Sequence, residues 1–240
     1  MAQAHLPVPF VNEAAGVRGF LHCPAAACGC AFVLTHGAGS NCQTPLLIAV
    51  ASAFCEAGFT VLRCDLPFRQ RRPHGPPAGM AAQSSDRKGL KQAVLELRKI
   101  AAGPLLLGGH SYGGRQSTML AATENELAAG LLLLSYPLHP AKRPDQYRTE
   151  HFPTLRTPAL FVHGTRDSMG SIEEMRTAIS LIPAATQLAS VEGAGHDLSI
   201  LTKQEGARAL PQYIQNIGQL VPGMEHHQTR VSAVQNELAR

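Results

Sequence analysis

The chain has 240 residues, of which 45% are hydrophobic and 16% charged, and this composition favours a globular protein with its own core over a disordered chain. The formal net charge of +4 is small and no Lys/Arg-rich block occurs, which argues against a nucleic-acid-binding protein. The absence of Trp and the few other aromatic residues also leave no base-stacking platform for single strands.

Short apolar runs recur along the chain and predict strands. In order, they cover residues 17–22 (as an edge strand), 31–35, 59–63, 104–107, 130–135, 158–163 and 187–191. The run 130–135 is apolar throughout, as expected for a strand that is covered on both faces.

Stretches with helical spacing lie between these strands and after the last one. They cover residues 45–57, 84–102, 112–122, 171–181 and 198–220. Ser84, Ser85 or Asp86 is expected to cap the second helix, and Pro211 is expected to bend or split the last one. Strands that alternate with helices predict parallel βαβ units in a doubly wound, mostly parallel α/β sheet.

No linker or internal repeat divides the chain, so we predict a single α/β domain over residues 1–220. Residues 221–240 are expected to form either a tail or a short helix. No stretch approaches the roughly 18 apolar residues of a membrane span, and the first residues lack a basic region followed by a long apolar one. We therefore predict a cytoplasmic protein without a membrane association.

The sharpest local signal is Gly109-His110-Ser111-Tyr112-Gly113, a G-x-S-x-G motif that stands between an apolar strand and a helical stretch. A turn of this kind is too tight for side chains at the flanking positions, and it projects the serine at the positive end of the helix. The motif predicts Ser111 as a nucleophile that a neighbouring base activates. The alternative is a Gly-rich turn in which the serine merely caps the helix.

A nucleophilic serine needs a histidine, and the histidine needs a carboxylate that orients it. Asp167 follows the strand 158–163, and His196 lies in a Gly-rich loop after the strand 187–191. The chain order Ser, Asp, His is the one that this fold uses, and side chains at three strand ends can converge. Asp167 could instead cap a turn, and His196 could be a surface residue. Asp65 is a rival acid, although it precedes the serine.

An oxyanion hole requires backbone donors aimed at the tetrahedral intermediate. One donor should be the N–H of Tyr112, which follows the nucleophile, and the other should come from the loop after the strand 31–35. In that loop Ala38 is the first choice and Gly39 the second, because small residues allow a close approach to the substrate.

Several motifs together carry a resemblance to a known family. They are T-H-G-A-G (35–39), D-L-P-F (65–68) with R-R-P (71–73), the serine turn, S-Y-P-L-H-P (135–140), R-T-E-H (148–151) and G-T-R-D (164–167). The chain resembles the α/β-hydrolase superfamily over nearly its full length, and more narrowly a group related to the dienelactone hydrolases. It is also similar to the hydrolase-like domain of a chromatin acetyltransferase-complex subunit and of a testis-expressed protein.

This resemblance implies a triad of Ser111, Asp167 and His196, and hydrolysis of an ester, thioester or related acyl bond of a small substrate. The dienelactone hydrolases proper use a cysteine nucleophile, and Ser111 departs from that pattern. Some relatives serve as subunits of protein complexes, so a catalytically silent interaction module is the alternative function. The next strand begins too soon after residue 135 for a full lid domain, so we expect an open site.

The loops 65–80 and 136–151 should form the rim of this site, and both are rich in arginine. Arg71 or Arg72 is a candidate for binding a substrate carboxylate, although solvation or a structural pairing is the alternative. His110, next to the nucleophile, is a further candidate for a substrate contact. His139 and His151 are expected to pack within the loops.

The cysteines all lie in the first third of the chain, at positions 23, 28, 30, 42, 55 and 64. Their spacing is not that of a zinc finger or ribbon, so we expect reduced thiols rather than a metal site. No cofactor motif occurs: no G-x-G-x-x-G follows the first strand, and no H-E-x-x-H helix exists. The sequence does not decide the oligomeric state.

Overall fold

The computed structural model describes residues 6–224, so most of the predicted tail or short helix over 221–240 lies outside the described residues. An eight-stranded sheet organises the chain. Its strands are β1 (Val8–Asn12), β2 (Val17–His22), β3 (Ala31–Thr35), β4 (Thr60–Cys64), β5 (Leu105–His110), β6 (Gly130–Leu134), β7 (Ala159–Gly164) and β8 (Thr186–Val191). The order across the sheet is β1-β2-β4-β3-β5-β6-β7-β8.

Helices connect most of these strands. They are α1 (Pro45–Glu56), α2 (Pro67–Arg71), α3 (Gly79–Arg98), α4 (Tyr112–Ala121), α5 (Ile172–Ile179), α6 (Gln204–Ala207) and α7 (Leu210–Leu220). Short 3₁₀ turns cover Phe152–Thr154 and Ser199–Thr202. The predicted doubly wound, mostly parallel α/β sheet is confirmed, because every strand pair from β4 onward along the sheet is parallel.

Both faces of the sheet are covered by helices, which is why the central strands are apolar along their whole length. One core cluster packs α3 and α4 with Met175 of α5 against the sheet, and the other packs α1 and α7 against the opposite face. Every residue of β3, β4 and β6 is buried. The carboxyl ends of six parallel strands therefore meet at one edge of the sheet, which is the edge where open α/β sheets carry their sites.

The edge of the sheet differs from the prediction. The strand 17–22 was expected at the edge, but β1 pairs with it in antiparallel fashion and takes the edge position. The two strands form a hairpin whose turn ends at Gly16, with a φ of 65°. The sequence does not reveal β1, because all five of its residues are exposed or half-buried and they show no clear apolar alternation.

Two helices also begin elsewhere than predicted. α3 starts at Gly79, five residues before the expected start, and its N-cap Ala78 offers no side-chain bond that a sequence would reveal. The predicted helix 198–220 is divided into a 3₁₀ turn, α6 and α7. Pro211 stands in the first turn of α7, where its missing N–H costs nothing, so it begins a helix rather than bending one.

Candidate active site

The serine turn has the backbone shape that its motif predicts. Ser111 follows the last residue of β5, precedes the first of α4, and has φ 51° and ψ −116°. A positive φ is rare for a residue with a side chain and costs of order 1–3 kcal/mol. The Ser111 N–H donates to the carbonyl of Leu134 at 2.8 Å, which fixes the turn to the neighbouring strand β6.

Glycines make this turn possible because the backbone of β3 passes directly beside it. A Cβ atom at Gly109 would lie 2.5 Å from the Thr35 carbonyl oxygen, and one at Gly113 would lie 2.6 Å from that of His36. Neither neighbour is a flexible side chain that could move away. The G-x-S-x-G spacing therefore reflects a steric requirement at both flanking positions.

The structure brings Ser111, His196 and Asp167 together, although the three are far apart in sequence. His196 Nε2 lies 2.8 Å from the Ser111 Oγ atom. On the other side of the ring, Nδ1 lies 2.8 Å from Oδ2 and 3.0 Å from Oδ1 of Asp167. A carboxylate can only accept from Nδ1, so Nδ1 carries the proton and a neutral ring presents a lone pair to the serine hydroxyl.

Asp167 has a fully buried side chain whose oxygens are all engaged. Its Oδ1 accepts the N–H of Met169 at 2.8 Å, in addition to the bond from His196. Burial alone would raise the pKa of this carboxyl, but the bonds from His196 and Met169 hold the pKa below its ordinary value. The carboxylate is thus kept ionised where it can orient the imidazole.

A second histidine, His163, supports the loop that carries this acid. Its Nε2–H donates to the Gly170 carbonyl at 2.8 Å, and the same atom lies 3.6 Å from Asp167 Oδ2. Burial lowers the pKa of His163, so the ring is neutral beside the carboxylate. The sequence alone does not distinguish His163, because it lies at the end of an apolar strand and belongs to no motif.

His110, the candidate for a substrate contact, bonds to the loop that carries His196. Its Nε2–H donates to the main-chain carbonyl of His196 at 2.8 Å, and the substrate contact stays a prediction. Burial lowers the pKa of His110 to about 4, so the ring is neutral and its donor is committed to this bond. His110 therefore connects the serine turn to the loop that carries His196.

The loop expected to supply the second oxyanion donor lies over the serine turn. A Cβ atom at Gly37 would be 3.5 Å from the Ser111 Cβ atom. The Gly37 carbonyl accepts from His36 Nδ1 at 2.9 Å and from the N–H and hydroxyl of Ser40 at 3.2 and 3.3 Å. The carbonyl and the N–H of one trans peptide unit point in opposite directions. The Ala38 N–H, which shares its peptide unit with the Gly37 carbonyl, therefore faces away from the donors that bind this carbonyl.

Arg69 fixes the following peptide of the same loop. Its guanidinium donates to the carbonyls of Ala38 at 2.9 Å, Ser40 at 2.7 Å, Gly75 at 3.0 Å and Arg72 at 3.1 Å. In the sequence, Arg69 stands out only as one arginine of the predicted rim loop 65–80. It is instead buried, with 6% of its surface exposed, and it holds the Ala38 carbonyl so that the Gly39 N–H points away from the guanidinium.

The other predicted donor belongs to Tyr112, whose N–H has no acceptor within its own helix because it begins α4. The Tyr112 hydroxyl donates to Asp86 Oδ2 at 2.7 Å, while Asp86 Oδ1 accepts the Phe68 N–H at 2.9 Å. Asp86 was expected as a possible helix cap. It lies inside α3, fully buried, and ties the residue after the nucleophile to the start of α2.

The remaining candidates lie apart from this cluster. Arg71 and Arg72 are exposed, and their guanidinium groups donate to the Ser85 hydroxyl and to the Pro76 carbonyl. Their role as carboxylate ligands stays a prediction. The rival acid Asp65 accepts the Cys42 N–H at 2.8 Å and lies 3.5 Å from His36 rather than beside the base.

The cysteines at positions 23, 28, 30, 42, 55 and 64 are all free, and those at 30, 42 and 64 are buried. Within residues 6–224, no group of three or more His, Cys, Asp or Glu side chains has a metal-binding arrangement. In the same range, no helix has the length and apolar character needed to cross a membrane.

Comparisons with known proteins agree with this architecture. A sequence profile described as "Alpha/beta hydrolase domain" matches residues 29–221. An acyl-protein thioesterase 1 from Emericella nidulans is 29% identical over 110 residues, which is 46% of this chain and 46% of that protein. The match thus spans about half the length of this curated relative.

Solved structures share the fold at low sequence identity. A dienelactone hydrolase from Anabaena variabilis superposes with a TM-score of 0.68 at 21% identity, covering 90% of this chain and 99% of that one. A serine hydrolase from Xanthomonas campestris, described as lacking a lid, gives a TM-score of 0.67 at 16% identity, covering 93% and 98%. The structure of DcsB with a substrate analogue gives 0.71 at 17% identity, covering 90% and 99%.

Proposed function

This chain belongs to the alpha/beta hydrolase domain family, and we propose that it is a serine hydrolase that cleaves an ester or thioester bond of a small acyl substrate. One observation carries the proposal. A single imidazole, His196, stands at 2.8 Å from a serine hydroxyl on one side and at 2.8 Å from a buried carboxylate on the other. This arrangement is the one that activates a serine for acyl transfer.

In the proposed reaction, Ser111 Oγ attacks the substrate carbonyl carbon while its proton passes to His196 Nε2. The Nδ1–H of the ring stays with Asp167, whose negative charge stabilises the imidazolium. The carbonyl oxygen becomes an oxyanion, which the N–H of Tyr112 and that of Ala38 or Gly39 stabilise.

The tetrahedral intermediate then collapses. His196 gives its Nε2 proton to the departing oxygen or sulfur, the bond to the leaving group breaks, and an acyl ester on Ser111 remains. Water enters beside the ring, loses a proton to Nε2 and attacks the acyl carbon. Breakdown of the second intermediate releases the carboxylic acid and returns the proton to Ser111.

The relatives narrow the substrate only to a class. The partial relative is named as an acyl-protein thioesterase, which supports an acyl bond to sulfur or oxygen as the target. Ser111 replaces the cysteine that the dienelactone hydrolases proper use, so we do not assign their reaction to this chain. We also propose that all these residues belong to one domain over 1–220, and that the protein acts in the cytoplasm, where its free cysteines would stay reduced.

The experiment compares Ser111→Ala with Ser135→Ala in the hydrolysis of a p-nitrophenyl ester. Ser135 is a matched control because it also follows a parallel strand, has a φ of 46° and is buried, but its Oγ has no hydrogen-bond partner among the described residues. We expect Ser111→Ala to lose nearly all turnover and all labelling by a fluorophosphonate, and Ser135→Ala to keep both. Labelling that survives in Ser111→Ala would identify a different nucleophile.

The alternative function is a catalytically silent interaction module. It rests on the proposed similarity to the hydrolase-like domain of a chromatin acetyltransferase-complex subunit and of a testis-expressed protein. Wild-type protein that reacts neither with the ester nor with the fluorophosphonate would favour this alternative. A scaffold alone does not need a hydroxyl, an imidazole and a carboxylate in hydrogen-bonded series, which is why we prefer the enzyme.

A further inference from the structure

Two arginines belong to the elements that surround the serine turn at the carboxyl edge of the sheet. Arg115 is four residues after Ser111 on α4, and its N–H donates to the Ser111 carbonyl at 3.0 Å. Arg148 lies in the rim loop, where its carbonyl accepts the Tyr136 hydroxyl at 2.6 Å. Tyr136 is buried, directly after the end of β6, and the charges of both arginines act on its hydroxyl. The two guanidinium groups therefore share one neighbourhood.

The hydrogen bonds that these side chains make within the protein leave donors available. Arg115 donates to Gln83 Oε1 at 3.3 Å, and its buried Nε has no hydrogen-bond partner among the described residues. The Arg148 guanidinium donates to the Pro137 carbonyl at 3.3 Å. A guanidinium carries five N–H donors in a planar fork, so most of the fork is free on each side chain.

The positive charge of this pair is also unbalanced. Within residues 6–224, no carboxylate oxygen comes within 4.0 Å of either guanidinium. Burial, and then repulsion from Arg115, lowers the pKa of Arg148. The neighbouring His151 donates from Nε2 to the Thr118 hydroxyl, and burial lowers its pKa to about 4, so the ring adds no charge.

The nearby carboxylates do not compensate the pair. Asp86 is occupied by Tyr112 and Phe68. Glu150 is exposed and forms no ion pair with either guanidinium, so its charge only partly offsets the lowered pKa of Arg148. Arg69 shows the contrast, because four of the five donors of its buried guanidinium bond to backbone carbonyls and its role is structural. Two like charges held together, partly desolvated and with free donors, are the arrangement that binds an anion.

The position of the base decides which part of the substrate meets these arginines. The leaving group has to lie against His196 Nε2, because that atom delivers its proton. Arg115 donates to Gln83 on α3, and Arg148 donates to the Pro137 carbonyl in the rim loop. These bonds are to parts of the chain other than the loop that carries His196. An acyl part that extends away from the leaving group would therefore meet these arginines.

We propose that Arg115 and Arg148 form an anion subsite for the acyl chain, so that the preferred substrate is an ester or thioester whose acyl group ends in a carboxylate. This inference rests on the proposed function. It differs from the prediction for Arg71 and Arg72, which are exposed and bond within their own part of the rim.

The test compares mono-p-nitrophenyl glutarate with p-nitrophenyl pentanoate, which share the leaving group and the acyl chain length but differ in the terminal charge. We expect the wild-type kcat/KM to favour the anionic ester by about tenfold or more, since hydrogen bonds to a charged group are stronger than neutral ones. Arg115→Gln and Arg148→Gln should each bring this ratio toward one. Arg143→Gln removes an exposed arginine from the same loop and should keep the ratio.

Each outcome decides one of the two proposals. Hydrolysis of both esters that depends on Ser111, but with equal kcat/KM or with a ratio that Arg115→Gln leaves unchanged, would overturn the subsite and keep the hydrolase. If neither ester is hydrolysed, the proposed function fails. Titration calorimetry of the folded protein with glutarate then decides the subsite: binding that Arg115→Gln abolishes supports it, and no binding to the wild type overturns it.

Discussion

Replacing Asp167 by Asn tests the catalytic proposal through the position of a single proton. Asp167 Oδ1 accepts the Met169 N–H at 2.8 Å, so the one oxygen of an asparagine is expected to stay there. Its NH₂ group then faces His196 Nδ1, at the place where Oδ2 now lies at 2.8 Å. An amide NH₂ can only donate, so Nδ1 becomes the acceptor and the ring proton moves to Nε2.

The consequence falls on Ser111. With a proton on His196 Nε2, the atom that lies 2.8 Å from the hydroxyl can no longer accept the serine proton. In a serine triad, the wrong tautomer lowers kcat by about 10⁴-fold, which corresponds to about 5.4 kcal/mol in the activation barrier. The substitution keeps the shape of the side chain and the Met169 bond, so the fold should survive.

The assay is the steady-state hydrolysis of a p-nitrophenyl ester at neutral pH, with the melting temperature measured on the same preparations. Asp197→Asn is the matched control, because it makes the same exchange at an exposed neighbour of His196, where Oδ1 only accepts the Ser199 N–H. We expect its kcat to stay within about twofold of wild type. An Asp167→Asn protein that keeps more than about a tenth of the wild-type kcat would refute the tautomer argument.

Two further predictions concern the support of the site and the stability of the fold. Arg69→Ala should lower kcat by about 100-fold with a smaller change in KM, because the Ala38 carbonyl loses the donor that orients the predicted oxyanion loop. Arg69→Lys should recover part of the kcat. If both variants lose kcat to the same extent and both have a lowered melting temperature, the loss would reflect unfolding instead. His22 accepts from Arg63 Nε at 2.7 Å, and burial lowers its pKa from 6.5 to about 4. The unfolded chain therefore binds a proton that the folded one does not, so His22 should cost up to about 2 kcal/mol of unfolding free energy at pH 5 relative to pH 7. Urea unfolding at both pH values should show a weaker pH dependence in His22→Gln, and identical dependence in the two proteins would contradict this assignment.

The sequence predicts those parts of the site that depend on local chemistry and on the topology of parallel strands. The turn at Ser111 needs glycines at fixed positions, so its motif is visible in the letters alone. Asp167 and His196 each follow a strand, and the rule that parallel strands end at one edge brings them near the serine. The catalytic roles of the three residues stay a prediction until activity is measured.

The parts that the sequence did not predict depend on contacts across the tertiary structure. The sequence around Asp86 does not distinguish a helix cap from a buried partner of the Tyr112 hydroxyl, because both roles are compatible with the neighbouring serines. Arg69 and Arg72 have similar sequence surroundings, yet one is buried among carbonyls and the other is exposed. Which side chain turns inward is decided by the carbonyls that the folded loops present to it.

The bond from His110 to the main chain of His196 has a consequence for the size of substrate that the protein can use. The base is held through its backbone as well as through its ring, so the reacting groups of the free protein are already preorganised. Little of a ligand's binding free energy is then required to assemble them. If the chain is the proposed hydrolase, we therefore expect it to accept a compact molecule with few atoms beyond the scissile bond, even one too small to drive a closing motion.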